Sequence, residues 1–498
     1  MMFRATCIAV FTSLTIAADS GHLPSQLLAN AERAAEPAPL LWVAVQAGSQ
    51  EARARLLAQA EASEDEYWLE KLIQVGYSPA ALELSRLKED PRLSGRLVKL
   101  AARGGVAEAQ YEYALIRDDY KHRETWLTAA AEQDYFIAQT ALADWYLLHD
   151  AQAKAEPWLV KTAARDSQSA YQLAFIRWQQ GSENEAFELF KQAAQQDHVE
   201  AQRVLSVLKQ YQPVSLSALA ETPAAEYSNV SCKQRIQPFA TGLAEIVQAN
   251  RIYQQYQQDK RLSQLPLCVE EPVWLERQAL NCNANWQGQG RLGCDIAALD
   301  EVTQAKGFTH AVILAKSGKA NVNNGVMYLD VGDTYSVFVH ELAHFVGFVD
   351  EYPLTRELAR EYCQRKTAPN LVFLGQITYA PLSNIDFWET FEYPVSLYPS
   401  RTCNNIGVKS YKPSERITFM ENHDAHYIPP LYLSIWRQRL QQRSSQRPIA
   451  MNFFQHYEKA GNIPKAAYWL DVLRQQRREP DPIDDAPTAA NAARKLSD

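Results

Sequence analysis

Beyond its first few positions the chain has no run of about twenty apolar residues. It also has no clustered basic stripe, no Cys-x-x-Cys pair and only five methionines among 498 residues. Each shortage removes a class of protein. Without a long apolar run, no membrane-spanning helix is expected in the mature chain. Lys and Arg total 50 against 58 Asp and Glu, a formal charge of -8. A phosphate-backbone binder needs clustered positive charge to release counterions, so nucleic acid is not an expected partner. Without Cys-x-x-Cys spacing a zinc ribbon is not expected either. The remaining balance, 47% hydrophobic and 22% charged, is that of a globular chain, and at roughly 100–200 residues per domain it predicts two to four units.

Met1-Met2-Phe3-Arg4, the apolar stretch Ala5–Ile16 and the small pair Ala17-Ala18 predict a secretory signal peptide over residues 1–18. The mature protein is therefore expected in the periplasm or outside the cell. Cysteine placement agrees. Cys7 leaves with the signal, and Cys232, Cys268, Cys282, Cys294, Cys363 and Cys403 all fall after residue 231. An even number confined to one region predicts up to three disulfides from an oxidising compartment. Nearness favours Cys282 with Cys294; the other pairings stay open.

Residues 25–210 are rich in Ala, Leu, Gln and Glu, and they repeat. Paired alanines recur at Ala101-Ala102, Ala130-Ala131, Ala163-Ala164 and Ala193-Ala194, at intervals of 29, 33 and 30 residues. A second marker keeps step: Ala109-Gln110, Ala138-Gln139, Ala170-Tyr171 and Ala201-Gln202. A period near 30, with small residues where helices cross, predicts a solenoid of helical hairpins, each burying its apolar face against its neighbours. Segments such as AARGGVAEAQYEYAL and AARDSQSAYQLAFIRW resemble Sel1-like or tetratricopeptide repeats. That resemblance implies a protein-binding surface and a protein partner on the repeats. No catalytic constellation is visible in this half.

A Pro- and Ser-bearing linker is expected over 211–231, followed by a mixed helix and strand domain over 232–445. In it, Thr309–Lys316 and Gly325–Val331 read as two strands. A further helical hairpin is expected over 446–478, turning at Gly461-Asn462, and a disordered Pro- and Asp-rich tail over 479–498.

The sharpest feature is His340-Glu341-Leu342-Ala343-His344. With ten histidines in the chain, chance expectation for His-acid-x-x-His is about 0.02 occurrences. On a helix, residues i and i+4 share a face, so both imidazoles can meet one ion with Glu341 beside them as general base. A catalytic zinc site takes a third protein ligand and leaves a position open for water. Gly347 follows three residues after His344, where a left-handed glycine can end the helix and reverse the chain, and Asp350 follows three later. The segment thus reads His-Glu-x-x-His-x-x-Gly-x-x-Asp, with His340, His344 and Asp350 as zinc ligands. Glu351 competes for third place through a one-residue shift of the turn. Glu357 or Glu361 on a following helix is another arrangement, opposed by Gly347 and Pro353.

A glycine-terminated zinc helix is similar to the metzincin pattern, and the ending Asp350-Glu351-Tyr352 resembles the bacterial IgA-peptidase type of metallopeptidase. The resemblance covers roughly Thr309–Trp436. It implies a Zn2+ cofactor, a protein or peptide substrate, and Met420 as a turn methionine beneath the metal. His423, His426 and Tyr427 are candidate donors to the transition state, and Gly325–Val331 is the expected sheet edge for a bound peptide. The fold class expected is multidomain, an all-α repeat solenoid followed by a disulfide-bearing α+β zincin domain. The functional expectation is an exported zinc metallopeptidase. The rivals are a non-catalytic protein-binding scaffold and a zinc amidase acting on cell-wall peptides.

Overall fold

A computed structural model describes residues 22–117, 119–222, 232–365, 368–374, 380–391, 393–442 and 445–477. The expected signal segment and tail lie outside the described residues. The chain divides into two compact units, Met1–Leu205 and Ser206–Asp498.

The first unit is built of helices. They are α1 (His22–Ala31), α2 (Ala38–Gln46), α3 (Gln50–Ala62), α4 (Glu66–Gln74), α5 (Pro79–Leu87), α6 (Pro91–Arg103) and α7 (Ala107–Leu115). They continue as α8 (Tyr120–Ala131), α9 (Phe136–Leu148), α10 (Gln152–Thr162), α11 (Ser167–Gln179), α12 (Glu183–Gln195) and α13 (Val199–Gln210). The repeated alanines are where the sequence pattern puts them. Ala101, Ala130, Ala163 and Ala193 are buried, as are Ala109, Ala138, Ala170 and Ala201, because a methyl side chain lets packed helices approach closely. Ala194 is only half-buried and Ala164 is exposed.

The Ala-Gln marker has a mechanism of its own. Gln110 Nε2 donates to Ala102 O at 3.2 Å, Gln139 Nε2 to Ala131 O at 3.1 Å and Gln202 Nε2 to Ala194 O at 3.4 Å. The last carbonyls of a helix have no partner within it, so each glutamine closes the end of the preceding helix across the turn. Tyr171 occupies the corresponding place in the third repeat and cannot do this. There Ala163 O instead accepts from Gln192 Nε2 at 2.6 Å, in the next hairpin.

The second unit carries two sheets. The larger contains β1 (Gln234–Ala240), β2 (Leu267–Val269), β3 (Val273–Trp274), β4 (His310–Ala315), β5 (Asn321–Asn323) and β6 (Val326–Asp330). Its order is β2-β1-β4-β6-β5, with β3 also pairing β1. All pairs are parallel except β5 with β6. The expected edge is therefore corrected: Gly325–Val331 holds an interior strand, and the edge on this side is β5, which lies between the two expected strands. Asn324-Gly325 explains this. Both have positive φ, 42° and 78°, the pair a tight hairpin requires, so the chain doubles back and inserts β6 between β5 and β4. The smaller sheet, β7 (Val372–Leu374), β8 (Tyr398–Ser400) and β9 (Lys409–Lys412), is antiparallel in the order β7-β9-β8.

Helices surround the sheets: α14 (Leu216–Glu221), α15 (Leu243–Gln258), α16 (Asp300–Lys306), α17 (Tyr335–His344), α18 (Arg356–Arg365), α19 (Ala380–Glu389), α20 (Pro430–Gln441), α21 (Ala450–Lys459) and α22 (Ile463–Arg477). The expected linker is corrected in its described part. Val214 N donates to Trp274 O at 2.9 Å, and Leu216 and Leu219 of α14 pack against the core beneath the sheet, because their apolar side chains have that face to bury. Residues 223–231 lie outside the described residues. The hairpin α21–α22 buries Phe453, Trp469 and Leu473 in that same core. Asp300 pins it, its carboxylate accepting from Tyr457 Oη (2.5 Å), Lys465 Nζ (2.7 Å) and Trp469 Nε1 (3.0 Å).

Three disulfides, Cys232–Cys268, Cys282–Cys294 and Cys363–Cys403, all belong to this unit. Among the described residues no helix is long and apolar enough to cross a membrane.

Candidate metal centre

Helix α17 follows β6 and is anchored by buried Phe338, Val339, Leu342 and Ala343. Its end is a glycine turn. Gly347 has φ +89°, and Gly347 N and Phe348 N donate back to His344 O at 3.0 Å and Ala343 O at 3.3 Å. A Cβ at Gly347 would in addition come within 3.2 Å of Arg439 Nη2.

The two histidines are oriented through their Nδ1 atoms. His340 Nδ1 lies 2.8 Å from Phe419 O, and His344 Nδ1 lies 2.8 Å from Phe348 O. A carbonyl only accepts, so each Nδ1 carries a proton and each Nε2 is the nitrogen left to meet a cation, the usual arrangement of a metal-binding imidazole. Asp350 Oδ1 sits 2.9 Å from His340 Nε2 and 3.2 Å from His344 Nε2. It is buried and has no hydrogen-bond partner among the described residues. Three electron-pair donors thus converge on one point, an arrangement that only a cation or shared protons can balance. Tetrahedral bonds of about 2.0–2.1 Å would put neighbouring donor atoms about 3.3 Å apart, close to the spacing here. Two nitrogens and one carboxylate oxygen form a donor set that fits zinc.

Glu341 is buried next to this point, with a carboxylate oxygen within 4.8 Å of both imidazoles' ligand atoms. Burial raises its pKa, and the charges of His344 and His340 work against the rise. With no cation at the centre, burial would raise the Asp350 pKa, but His344 and His340 hold it well below the usual carboxylate range. Burial likewise would lower the His344 pKa, yet Asp350 pushes it up to about 9.

Glu351 does not join them. Its fully buried carboxylate accepts from Tyr432 Oη at 2.5 Å, Thr418 Oγ1 at 2.6 Å and Asn370 Nδ2 at 3.0 Å, with Lys412 Nζ at 3.5 Å. The competing ligand is thus corrected to a structural group, because four donors hold it and, among the described residues, no hydrogen bond or ion pair joins it to either histidine. Glu357 and Glu361 are exposed on or near the first turns of α18. The Glu351 backbone also fastens the loop that carries Asp350, its N–H donating to Met420 O at 2.9 Å. Thr402 Oγ1 donates to Asp350 O at 2.8 Å, one residue from the Cys363–Cys403 disulfide.

Met420 is fully buried in a turn where Glu421 N and Asn422 N both donate to Thr418 O at 3.0 Å. The neighbouring Phe419 supplies the carbonyl that orients His340. His423 is exposed and faces Asp424 at 3.5 Å. His426 is exposed with φ +52°, its carbonyl accepting from Arg261 at 2.6 Å. Tyr427 carries the Arg416 guanidinium over its ring at 3.7 Å. Among the described residues no hydrogen bond or ion pair joins these three side chains to His340, His344 or Asp350.

Sequence reasoning gave no role to Tyr352 or Asp333. The Tyr352 ring stacks on His340, 6.3 Å between centroids and 14° between planes. Burial and the adjacent Asp350 carboxylate raise its pKa. The signal for it was its place two residues after Asp350. Asp333 is pushed up to about 6 by burial, with Asp330 and Glu341 adding to the rise; no spacing rule marks it.

No family model matches the chain, and no curated protein matches it. Among solved structures, it is similar to a Sel1 repeat protein from Oxalobacter formigenes, with 15% identity, a TM-score of 0.27, and coverage of 37% of this chain and 87% of that one. It is also similar to a protective antigen of uropathogenic Escherichia coli strains displaying an SLR fold. There the identity is 14% and the TM-score 0.30, over 50% of this chain and 57% of the antigen.

Proposed function

We propose that the second unit is an exported zinc-dependent metallopeptidase, and that the helical repeats recruit its protein substrate or a protein partner. The observation carrying the reading is the convergence of His340 Nε2, His344 Nε2 and Asp350 Oδ1, an unsatisfied buried donor set with Glu341 beside it. Zinc held by these three residues would supply an activated water and polarise a scissile carbonyl. Glu341 takes the proton of the attacking water on its carboxylate and returns it to the leaving amine. Burial lifts the Glu341 pKa, the direction that suits a carboxylate asked to hold a proton between the two steps. The open side of β5 is an antiparallel edge, where an extended peptide could add as a further strand. Three disulfides suit a periplasmic or secreted protein.

A second reading, a non-catalytic protein-binding scaffold, is favoured by the repeat unit, whose stacked hairpins expose Leu148, Val160 and Phe187. One experiment separates them. Metal analysis of the purified mature chain should find one zinc, and casein should be hydrolysed. Glu341→Gln should retain the zinc and lose about 100- to 10,000-fold in turnover. Full activity in that variant would remove Glu341 from the reaction. Zinc-free, inert protein would leave the scaffold. Turnover of purified peptidoglycan in place of casein would point to an amidase.

A further inference from the structure

We propose that Asn370 and Thr402 position the Asp350 ligand, and that the Cys363–Cys403 disulfide, by joining the segments that carry them, makes zinc capture depend on oxidation. The inference rests on the zinc site of the peptidase reading and assigns that site its regulation. The three ligands are held in different ways. His340 and His344 stand on α17, which is anchored by its own buried face. Asp350 lies in a loop, and the groups that fix its backbone come from two other segments. The fully buried Asn370 grips the preceding residue in both directions, Val349 N donating to Asn370 Oδ1 at 3.0 Å and Asn370 Nδ2 donating to Val349 O at 2.8 Å. The fully buried Thr402 donates from Oγ1 to Asp350 O at 2.8 Å, and its own carbonyl accepts from Leu354 N at 3.1 Å.

Asn370 follows Cys363 on the stretch between α18 and β7, and Thr402 directly precedes Cys403. The disulfide therefore fastens one clamp to the other across 40 residues of chain. Both cysteines are fully buried, in a core shared with Val349, Leu354, Ala359 and Phe373. That core is separate from the one beneath the large sheet, and it is small. A few apolar side chains drawn from three segments bury little surface, which is the case where a covalent staple matters most. Closing the staple moves two electrons and two protons from the Cys363 and Cys403 thiols to an external disulfide, which leaves as two thiols. Until then α17 presents its two histidines, but the clamps on Asp350 are not joined. Zinc capture and oxidation are thereby coupled.

Chelator competition on the purified mature chain reads the coupling as a zinc dissociation constant. C363S/C403S should weaken zinc by about 100-fold, and Thr402→Val, which keeps the disulfide and removes one hydroxyl, by about tenfold. C282S/C294S opens a disulfide of the other core. It should lower the melting temperature yet leave zinc affinity within about twofold, as an independent site does. The same serine pair is then placed in Asp350→Ala. There C363S/C403S should cost no further affinity, because the group it positions is gone. Equal zinc loss from either disulfide overturns the coupling, as does an undiminished loss in the Asp350→Ala background. If the serine pair does not fold, Thr402→Val decides, and unchanged zinc affinity there overturns the proposal. Casein turnover is scored separately. A chain whose zinc follows the Cys363–Cys403 disulfide but which cleaves nothing loses the peptidase reading and keeps the coupling. One that binds no zinc loses both.

Discussion

At the residue scale, Asp350 and Glu351 are neighbours with opposite tasks, and what surrounds them assigns those tasks. Asp350 Oδ1 is buried against the two imidazole Nε2 atoms, 2.9 and 3.2 Å away. Glu351 is buried among Tyr432, Thr418, Asn370 and Lys412, all able to donate. Asp350→Ala should weaken zinc binding beyond the 10- to 100-fold that is roughly typical of supporting groups, and should also lower the stability of the metal-free chain at neutral pH, where Asp350 pairs with His344. Glu351→Ala takes the shortest acceptor from the buried Tyr432 and Thr418 hydroxyls, while Lys412 keeps Glu421 and Arg416 O, and should cost about 1–3 kcal/mol of stability. Chelator competition for zinc and urea unfolding of the metal-free protein measure the two effects. Tight zinc in Asp350→Ala together with lost zinc in Glu351→Ala would exchange the roles.

At the element scale, the repeats show a short motif acting through the backbone. Ala-Gln follows three of the four alanine pairs, and its glutamine reaches the carbonyl that the preceding helix leaves unpaired. Gln139 is buried and also donates to Asp134 Oδ1 at 3.2 Å. Gln139→Ala should therefore destabilise the repeat unit by about 0.5–1.5 kcal/mol. Exposed Gln50, which accepts from Arg53, should cost less than about 0.5 kcal/mol when replaced by Ala. Urea titrations followed by circular dichroism would distinguish them, and equal costs would deny the carbonyl bond its part. In the second unit, the Asn324-Gly325 turn has the same standing: a dipeptide decides which strand is interior and which is the edge.

At the scale of the whole molecule, the two units are stabilised by different means. The first depends on alanine-lined helix packing and contains no cysteine among its described residues, while the second carries all three disulfides. Native disulfides typically contribute about 2–5 kcal/mol each. Thermal unfolding should thus show a transition that dithiothreitol lowers and another that it leaves in place. A scan in which reductant shifts every transition equally would mean that the units do not unfold separately.

Periodicity and motif spacing sufficed for the repeats, the helical register of His340 and His344, the turn at Gly347, and the six-cysteine region, because each is a local rule. A helix period, a glycine's positive φ and a count of cysteines involve only nearby chain. Which acid faces the histidines, which carbonyls orient them, where the sheet ends and how Cys232, Cys363 and Cys403 pair were decided by the tertiary structure. Those outcomes depend on groups far apart in sequence: Phe419 lies 79 residues from His340, and Tyr432 lies 81 from Glu351. A carboxylate's role follows from the donors packed around it, and those are assembled only when the chain folds.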